Sequence, residues 1–169
     1  MANPIFYFKG LSASDKWTIG IYLIVTFILF YIIELDDEYI FFYCLLSHIL
    51  VYIFFYKALR NLTFYFICLG IGVLHLLIFY LLLEDSRSTL PIINAAANLR
   101  NTLPLLVLFQ ILRLLNLLIQ KEELVSPQVS MSISTKDIHE ERYIMPSDYL
   151  FFLVYIFFAI ALTLGWKHP

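Results

Sequence analysis

Five long apolar stretches constrain the fold of this chain more than any other feature. Each is close to the roughly 17–25 residues that an α-helix needs to cross the hydrocarbon core of a bilayer. Backbone groups inside a membrane must be hydrogen-bonded within the protein, so each stretch is expected to be helical. The sequence therefore predicts a single all-α domain, residues 1–169, built as a bundle of about five transmembrane helices. The predicted spans are Trp17–Leu35, Tyr39–Leu59, Leu62–Leu83, Leu103–Ile119 and Tyr149–Trp166.

The composition agrees with a membrane protein. Hydrophobic residues form 62% of the chain and charged residues 14%, and the mean hydropathy is +0.84. A soluble domain carries roughly 25% charged residues. The net charge of -2 gives no electrostatic reason to expect a nucleic-acid partner. Glycine is scarce whereas Ile, Phe and Tyr are abundant, which is typical of AT-rich genomes, and we expect a bacterial cytoplasmic (inner) membrane protein.

The distribution of Lys and Arg predicts the orientation of the chain. Basic residues concentrate on the cytoplasmic side of membrane proteins, which favours an N-terminus inside and a C-terminus outside. A polar loop, residues 121–148, then lies in the cytoplasm. Within it, apolar and polar residues alternate over Val129–Ser134, which predicts either a β-strand that needs a partner or an ordinary loop. Ser14 is the expected N-cap of the first span. The predicted cytoplasmic basic residues are Lys9, Lys16, Lys57, Arg60, Lys121, Lys136 and Arg142, and the external ones are Arg87, Arg100 and Lys167.

The fourth predicted span carries a stripe of polar side chains. At about 100° per residue these side chains fall on one broad face of a helix. Such a stripe is costly against lipid, so we expect it to face other helices, a cavity or another subunit. Pro104 lacks the N–H that would bond to the carbonyl of Arg100, so it should kink the helix. Because of these polar residues, the sequence does not determine whether segment 92–119 crosses the whole membrane. The stripe consists of Asn94, Asn98, Asn101, Thr102, Arg113, Asn116 and Gln120.

Arg113 is a candidate functional residue because ionisable side chains are rare inside membranes. It lies roughly 10 Å from the cytoplasmic end of its span and could extend to the lipid headgroups. It could instead make a polar contact with another helix or subunit, or act in transport or catalysis. Together with nearby basic and amide groups it predicts a site for an anionic lipid headgroup or a partner protein. The candidate contact residues are Lys57, Arg60, Asn98, Arg113, Asn116, Gln120 and Lys121.

Two histidines, His48 and His75, lie inside neighbouring antiparallel spans. Their positions predict nearly equal depths, roughly 12–14 Å from the external side. Facing histidines at one depth could supply the two axial ligands of a haem. Alternatively, each imidazole bonds to a tyrosine or a backbone carbonyl across the helix interface, with Gly72 leaving room for close approach. No carboxylate or third histidine joins them at that depth, so a metal site without haem is not expected.

The sequence contains no motif that names a reaction. The GxSxG, HExxH, Walker and GxGxxG patterns are all absent. With few residues outside the spans, this favours a non-catalytic integral membrane subunit that stabilises or adapts a larger complex, in contact with membrane lipids. One alternative is a self-assembling pore or carrier, a homo-oligomer, for a small solute, with Arg113 favouring anions. Another is a small cytochrome with haem bound by His48 and His75; otherwise no cofactor is expected.

Overall fold

The computed structural model describes residues 7–28, 37–84, 89–125, 127 and 144–165. In these residues the regular secondary structure is entirely helical, which confirms the predicted all-α class for this part of the chain. A 3₁₀ segment, Ala97–Asn101, joins the fourth and fifth helices. The helices are α1 (Ala13–Phe27), α2 (Asp37–Leu59), α3 (Leu62–Glu84), α4 (Leu90–Ala96), α5 (Thr102–Gln120) and α6 (Pro146–Gly165).

Three helical runs among the described residues are long and apolar enough to cross a membrane. They are α3, the continuous run Leu90–Gln120 that comprises α4, the 3₁₀ segment and α5, and α6 over Pro146–Leu164. These runs are what a membrane protein requires. The count of five spans stays a prediction: α2, the second predicted span, is not among these three runs, and residues 29–35 of the first lie outside the described residues. The strand-like Val129–Ser134 also lies outside them.

The first helix begins at a capping box two residues before the predicted cap. The Ser12 hydroxyl accepts the Asp15 N–H at 3.1 Å, and the Asp15 carboxylate accepts the Ser12 N–H at 2.9 Å. The prediction of Ser14 as N-cap is therefore wrong. Ser12 is the N-cap because Asp15 lies three residues after it, and the reciprocal pair satisfies the backbone N–H groups of both residues.

The fourth predicted span begins at Leu90 rather than at Leu103. Pro91, which needs no hydrogen-bond acceptor, stands in the first turn of α4. Pro104 cannot donate to the carbonyl of Arg100, and the chain tightens into the 3₁₀ segment just before it. The 3₁₀ segment ends three residues before Pro104, and the predicted kink at Pro104 stays a prediction. The whole run has 31 residues, so the polar stretch before Leu103 does not shorten it.

One end of the bundle collects four chain segments through hydrogen bonds. The N-terminal residues meet the α2–α3 turn, where Leu62 N–H donates to the Tyr7 carbonyl at 3.1 Å. Arg60 in that turn donates to the carbonyl of Leu124, which follows α5. Val125 N–H in turn donates to Asp148 at the start of α6 at 3.2 Å. We call this region the turn end of the bundle.

An aromatic contact fixes α2 against α5 and α6. The ring of Tyr52 lies 4.3 Å from that of Tyr155 and 5.7 Å from that of Phe109, measured between centroids. All three rings are buried. Tyr155 also donates its hydroxyl to the backbone carbonyl of His48 at 3.2 Å. This packing holds His48 in place one helical turn from the aromatic contact.

Candidate functional site

A row of hydrogen-bonded side chains links α1, α2, α3 and α5 inside the bundle; we call it the polar row. At its centre, His75 Nδ1 lies 2.9 Å from Thr102 Oγ1 and His75 Nε2 lies 2.9 Å from the Tyr43 hydroxyl. Thr102 Oγ1 also lies 3.1 Å from His48 Nε2. At the far end the Tyr43 hydroxyl is 2.5 Å from Thr26 Oγ1. The polar row therefore runs Thr26, Tyr43, His75, Thr102, His48 without a gap.

Gly72 allows α5 to approach α3 closely enough to form this row. A Cβ atom at Gly72 would lie only 2.7 Å from Leu103 Cδ2 and 3.1 Å from Leu103 Cγ. Leu103 is the neighbour of Thr102 at the start of α5. Since His75 lies one helical turn beyond Gly72, the missing side chain brings the Thr102 hydroxyl within reach of the imidazole.

Both histidine side chains are buried inside the protein. His48 is 3% exposed and His75 is 0% exposed. The rings of Tyr22 and Tyr43 lie against His75, with centroid distances of 5.7 and 5.8 Å. A buried imidazole without a hydrogen-bond partner would be costly, and the hydroxyls of Thr102 and Tyr43 satisfy both nitrogens of His75.

A cavity of about 760 Å³ lies beside the polar row. Side chains of α1, α2, α3, α5 and α6 form its walls, and Tyr43, His48 and Thr102 of the polar row are among them. Its other walls are mainly aliphatic and aromatic, including Val25, Leu46 and Ile71. Among the described residues, no Asp, Glu, Lys or Arg lines it. The cavity is open on the side of Ile21, Tyr39 and Leu46, which are exposed, and it thus offers a large, mainly apolar volume with a few hydrogen-bonding groups.

A second polar site, the arginine cluster, surrounds Arg113 at the turn end. Arg113 is 0% exposed, and its Nε and Nη2 donate to the two carboxylate oxygens of Glu123 at 2.7 and 2.6 Å. Gln110 accepts from Arg113 Nη1 at 3.3 Å and donates to the Leu59 carbonyl at 2.9 Å. Arg60 Nε lies 3.8 Å from the same Glu123 carboxylate. Arg60, Gln110, Arg113 and Glu123 form the cluster.

The cluster exists because the chain folds back after α5. Lys121 ends the helix in the left-handed conformation, with φ of 59°. The reversed segment is then held by Asn116, which donates to the Glu122 carbonyl at 3.1 Å. The next residues, Leu124 and Val125, are completely buried. The reversal carries Glu123 back alongside the helix that bears Arg113.

The predicted headgroup-contact residues are not gathered on an open surface. Arg113 turns inward to Glu123, so the expected extension towards lipid headgroups does not occur in this structure. Asn98 and Asn116 are also buried, and Asn98 donates to the Ala95 carbonyl of its own helix at 3.2 Å. Lys121 is exposed, Lys57 and Gln120 are half-buried, and Arg60 joins the arginine cluster. The polar stripe faces the other helices of the bundle, which is one of the three environments expected for it.

The structure brings His48 and His75 together, with the Thr102 hydroxyl between them. Both Nε2 atoms are hydrogen-bonded, that of His48 with Thr102 and that of His75 with Tyr43. Haem ligation by the two histidines stays a hypothesis. Among the described residues, no group of three or more His, Cys, Asp or Glu side chains could hold a metal ion.

Sequence reasoning missed Glu123, Tyr43 and Thr26. Glu123 reads as a loop acid, and only the left-handed Lys121 places it inside. Tyr43 is one of 12 tyrosines, and nothing in the pattern sets it apart. A mid-span threonine such as Thr26 usually bonds to its own helix backbone, which it also does here through the Tyr22 carbonyl at 2.8 Å.

No known protein family, curated protein sequence or solved structure matches this chain significantly.

Proposed function

We propose that the protein is an integral membrane binding protein that holds one uncharged, lipid-soluble molecule inside its helix bundle. The observation that carries the proposal is the cavity of about 760 Å³ beside the polar row. Ligand pockets in proteins typically measure about 300–1,000 Å³, are mostly apolar and contain a few polar groups that orient the ligand. The cavity has this size and this division of its walls.

The chemistry of the walls supports an occupant drawn from the bilayer. Water gains little in an apolar cavity because it finds few hydrogen-bond partners there. An ionised headgroup would need a charged or strongly polar partner, and the described part of the lining includes no charged side chain. A molecule with an apolar body and a small neutral head matches the volume and the hydrogen-bonding wall together.

The earlier hypotheses receive less support from the packing. The polar stripe was the main reason to expect a partner subunit or a pore, yet Asn98, Arg113 and Asn116 are buried within the chain itself. Of the stripe, only Thr102 lines the cavity. The complex-subunit hypothesis keeps its argument from the few residues outside the spans, and it becomes one outcome of the test.

Native mass spectrometry of the protein extracted from its own membrane in mild detergent tests the proposal. We expect one added mass of a neutral lipid per chain that survives gentle activation. Additional protein masses at fixed stoichiometry would favour the subunit hypothesis, and an added haem would favour the cytochrome. A bare chain or bare homo-oligomer, without retained lipid, would contradict the proposal.

A matched pair of variants on α1 locates the retained lipid. Val25 lines the cavity, whereas its neighbour Ile24 does not, and both side chains are largely exposed. Val25→Trp should fill part of the cavity and lower lipid occupancy at least about fivefold, because the two apolar bodies compete for one volume. Ile24→Trp adds the same ring to the same helix and should leave occupancy unchanged. Equal occupancy in both variants would place the lipid elsewhere.

A further inference from the structure

The polar row has a single direction of hydrogen-bond donation, which can be read from its α1 end. The Thr26 hydroxyl has one proton and donates it to the Tyr22 carbonyl, which can only accept. In its contact with Tyr43, Thr26 must therefore accept. The Tyr43 proton is then committed to Thr26, so the Tyr43 oxygen accepts the Nε2 proton of His75.

The same reasoning fixes the second histidine. Neutral imidazoles are favoured where no counter-charge is near in an apolar interior. With its proton on Nε2, neutral His75 accepts at Nδ1, so the Thr102 hydroxyl donates to it. Thr102 has then used its proton, and its oxygen accepts from Nε2 of His48. His48 is consequently the first donor of the row, and its Nδ1 carries a lone pair.

That lone pair has no hydrogen-bond partner among the described residues. Two hydroxyl groups near His48 donate to other acceptors: Ser47 donates to the Cys44 carbonyl at 3.0 Å, and Tyr155 donates to the His48 carbonyl at 3.2 Å. The Tyr52 hydroxyl, one turn further along α2, also makes no hydrogen bond within the described residues. An unsatisfied buried acceptor is costly in a low-dielectric interior. His48 also belongs to the wall of the cavity, but its Nδ1 atom has almost no exposed surface, so a ligand reaches it only when neighbouring side chains shift.

The geometry points to a ligand that carries a hydrogen-bond donor: an uncharged lipid alcohol whose hydroxyl donates to His48 Nδ1. This inference rests on the proposed lipid-binding function and specifies the class of lipid. Molecules that can only accept, such as ketones, quinones and esters, lack the proton that His48 Nδ1 requires. Thr102 and Tyr155, which bond to His48, have no spare proton to offer such molecules.

Paired ligands that differ only in the donor test the inference. The full chain in lipid nanodiscs would be loaded with tritiated geranylgeraniol and competed with unlabelled geranylgeraniol or its O-methyl ether. Loss of a hydrogen bond to a buried group typically weakens binding by about tenfold, so the alcohol should compete about tenfold better than the ether. Hexadecanol and its methyl ether repeat the comparison with a different apolar body.

Substitutions in the polar row separate this inference from the proposed function. His48→Leu should remove the preference for the alcohol while the ether still binds. If His48→Leu fails to fold, Thr102→Val serves instead: it removes the acceptor that holds the His48 proton on Nε2, and the preference should fall, whereas Thr102→Ser should keep it. Equal competition by alcohol and ether in the unmodified protein would overturn the inference and leave lipid binding intact. Saturable binding of neither would overturn both.

Imidazole nitrogen NMR gives a second readout that does not depend on the ligand chosen. In protein labelled with ¹⁵N-histidine, the His48 Nδ1 signal should be of the unprotonated, pyridine type, and the Nε2 signal should be protonated. His48→Leu or Thr102→Val identifies the signal by its loss or shift. A protonated Nδ1 in the ligand-free protein would reverse the donor direction and overturn the inference.

Discussion

At the scale of single residues, Arg113 shows how this bundle accommodates a charge. Its guanidinium is completely buried and meets the Glu123 carboxylate through two short, parallel hydrogen bonds. Such bidentate pairs combine charge with geometric fit. The Glu123 side chain is 28% exposed, so it brings the counter-charge from the edge of the bundle to the interior.

Replacing Glu123 should leave a buried cation without its counter-charge. Breaking one partner of a buried ion pair typically costs about 3–5 kcal/mol, and partial exposure of Glu123 places the expected loss for Glu123→Gln near about 3 kcal/mol. Reversible unfolding in mixed detergent micelles measures it. The exposed neighbour variant, Glu122→Gln, should change stability by less than about 0.5 kcal/mol.

A double variant distinguishes charge loss from general damage to the loop. Adding Arg113→Met to Glu123→Gln removes the unpaired charge, so part of the lost stability should return. If the double variant is less stable than Glu123→Gln alone by the full cost of Arg113→Met, the two side chains are energetically independent and the ion pair is not what holds the fold-back segment.

Sequence reasoning found the cation but not its partner, for a physical reason. A charge inside an apolar stretch is visible in any hydropathy pattern, and Arg113 was identified in that way. Glu123 lies ten residues further on, beyond the helix end. Left-handed residues after helices are usually glycine or asparagine, so a lysine in that conformation gives no signal of a reversal.

At the scale of elements, the Asn61 side chain makes two hydrogen bonds that attach Lys9 to the bundle, beside the backbone bond from Leu62 to Tyr7. Asn61, in the turn between α2 and α3, accepts the Lys9 N–H at 3.0 Å and donates to the Lys9 carbonyl at 2.9 Å. It also accepts the N–H of Thr63, in the first turn of α3, at 3.1 Å. Phe8 adds a stacked contact with Phe66, with ring centroids 6.3 Å apart.

Removing the Asn61 amide should release the N-terminal segment without unfolding the helices. Asn61→Ala loses all of these bonds, whereas Asn61→Asp keeps an acceptor for Lys9 and Thr63 and loses only the donor. We expect hydrogen exchange at the Lys9 amide to accelerate at least about tenfold in Asn61→Ala and less in Asn61→Asp. Unchanged exchange in Asn61→Ala would show that other contacts hold the segment.

Element boundaries followed from the sequence where hydropathy changes sharply. The predicted third span, Leu62–Leu83, differs from α3 by one residue at its end. The start of the fourth predicted span was placed too late because the amides between Leu90 and Leu103 lower the local hydropathy. Two of those amides, Asn98 and Asn101, are hydrogen-bonded inside the bundle. Asn101 donates to the Leu162 carbonyl at 3.1 Å, and this pairing depends on α6, which is far away in sequence.

At the scale of the whole molecule, the turn end joins basic residues from distant parts of the chain. Lys9, Arg60 and Lys121 all lie there, connected through Asn61, Leu124 and the end of α5. This is the side that the positive-inside rule assigns to the cytoplasm. The predicted orientation, N-terminus inside, is consistent with this clustering and remains to be measured.

Cysteine accessibility would measure the orientation. In a chain with Cys44→Ala and Cys68→Ala, single cysteines at Gly10 and Glu122 report the turn end, and one at Thr89 reports the opposite end. An impermeant thiol reagent should label the first two only in inside-out vesicles and the third only in intact spheroplasts. Labelling of Gly10 and Thr89 from the same side would contradict the arrangement; the cysteine-free chain controls for background.

The Val125–Asp148 hydrogen bond has a consequence for how this protein tolerates change. It ties together the two ends of the chain between α5 and α6, so those ends stay adjacent whatever sequence connects them. The entropic cost of closing a loop grows slowly, by only about 0.6 kcal/mol for each doubling of its length. The position between these residues is therefore a natural point for inserting a folded domain, as a fusion partner for imaging or as an evolutionary acquisition, without disturbing the helices.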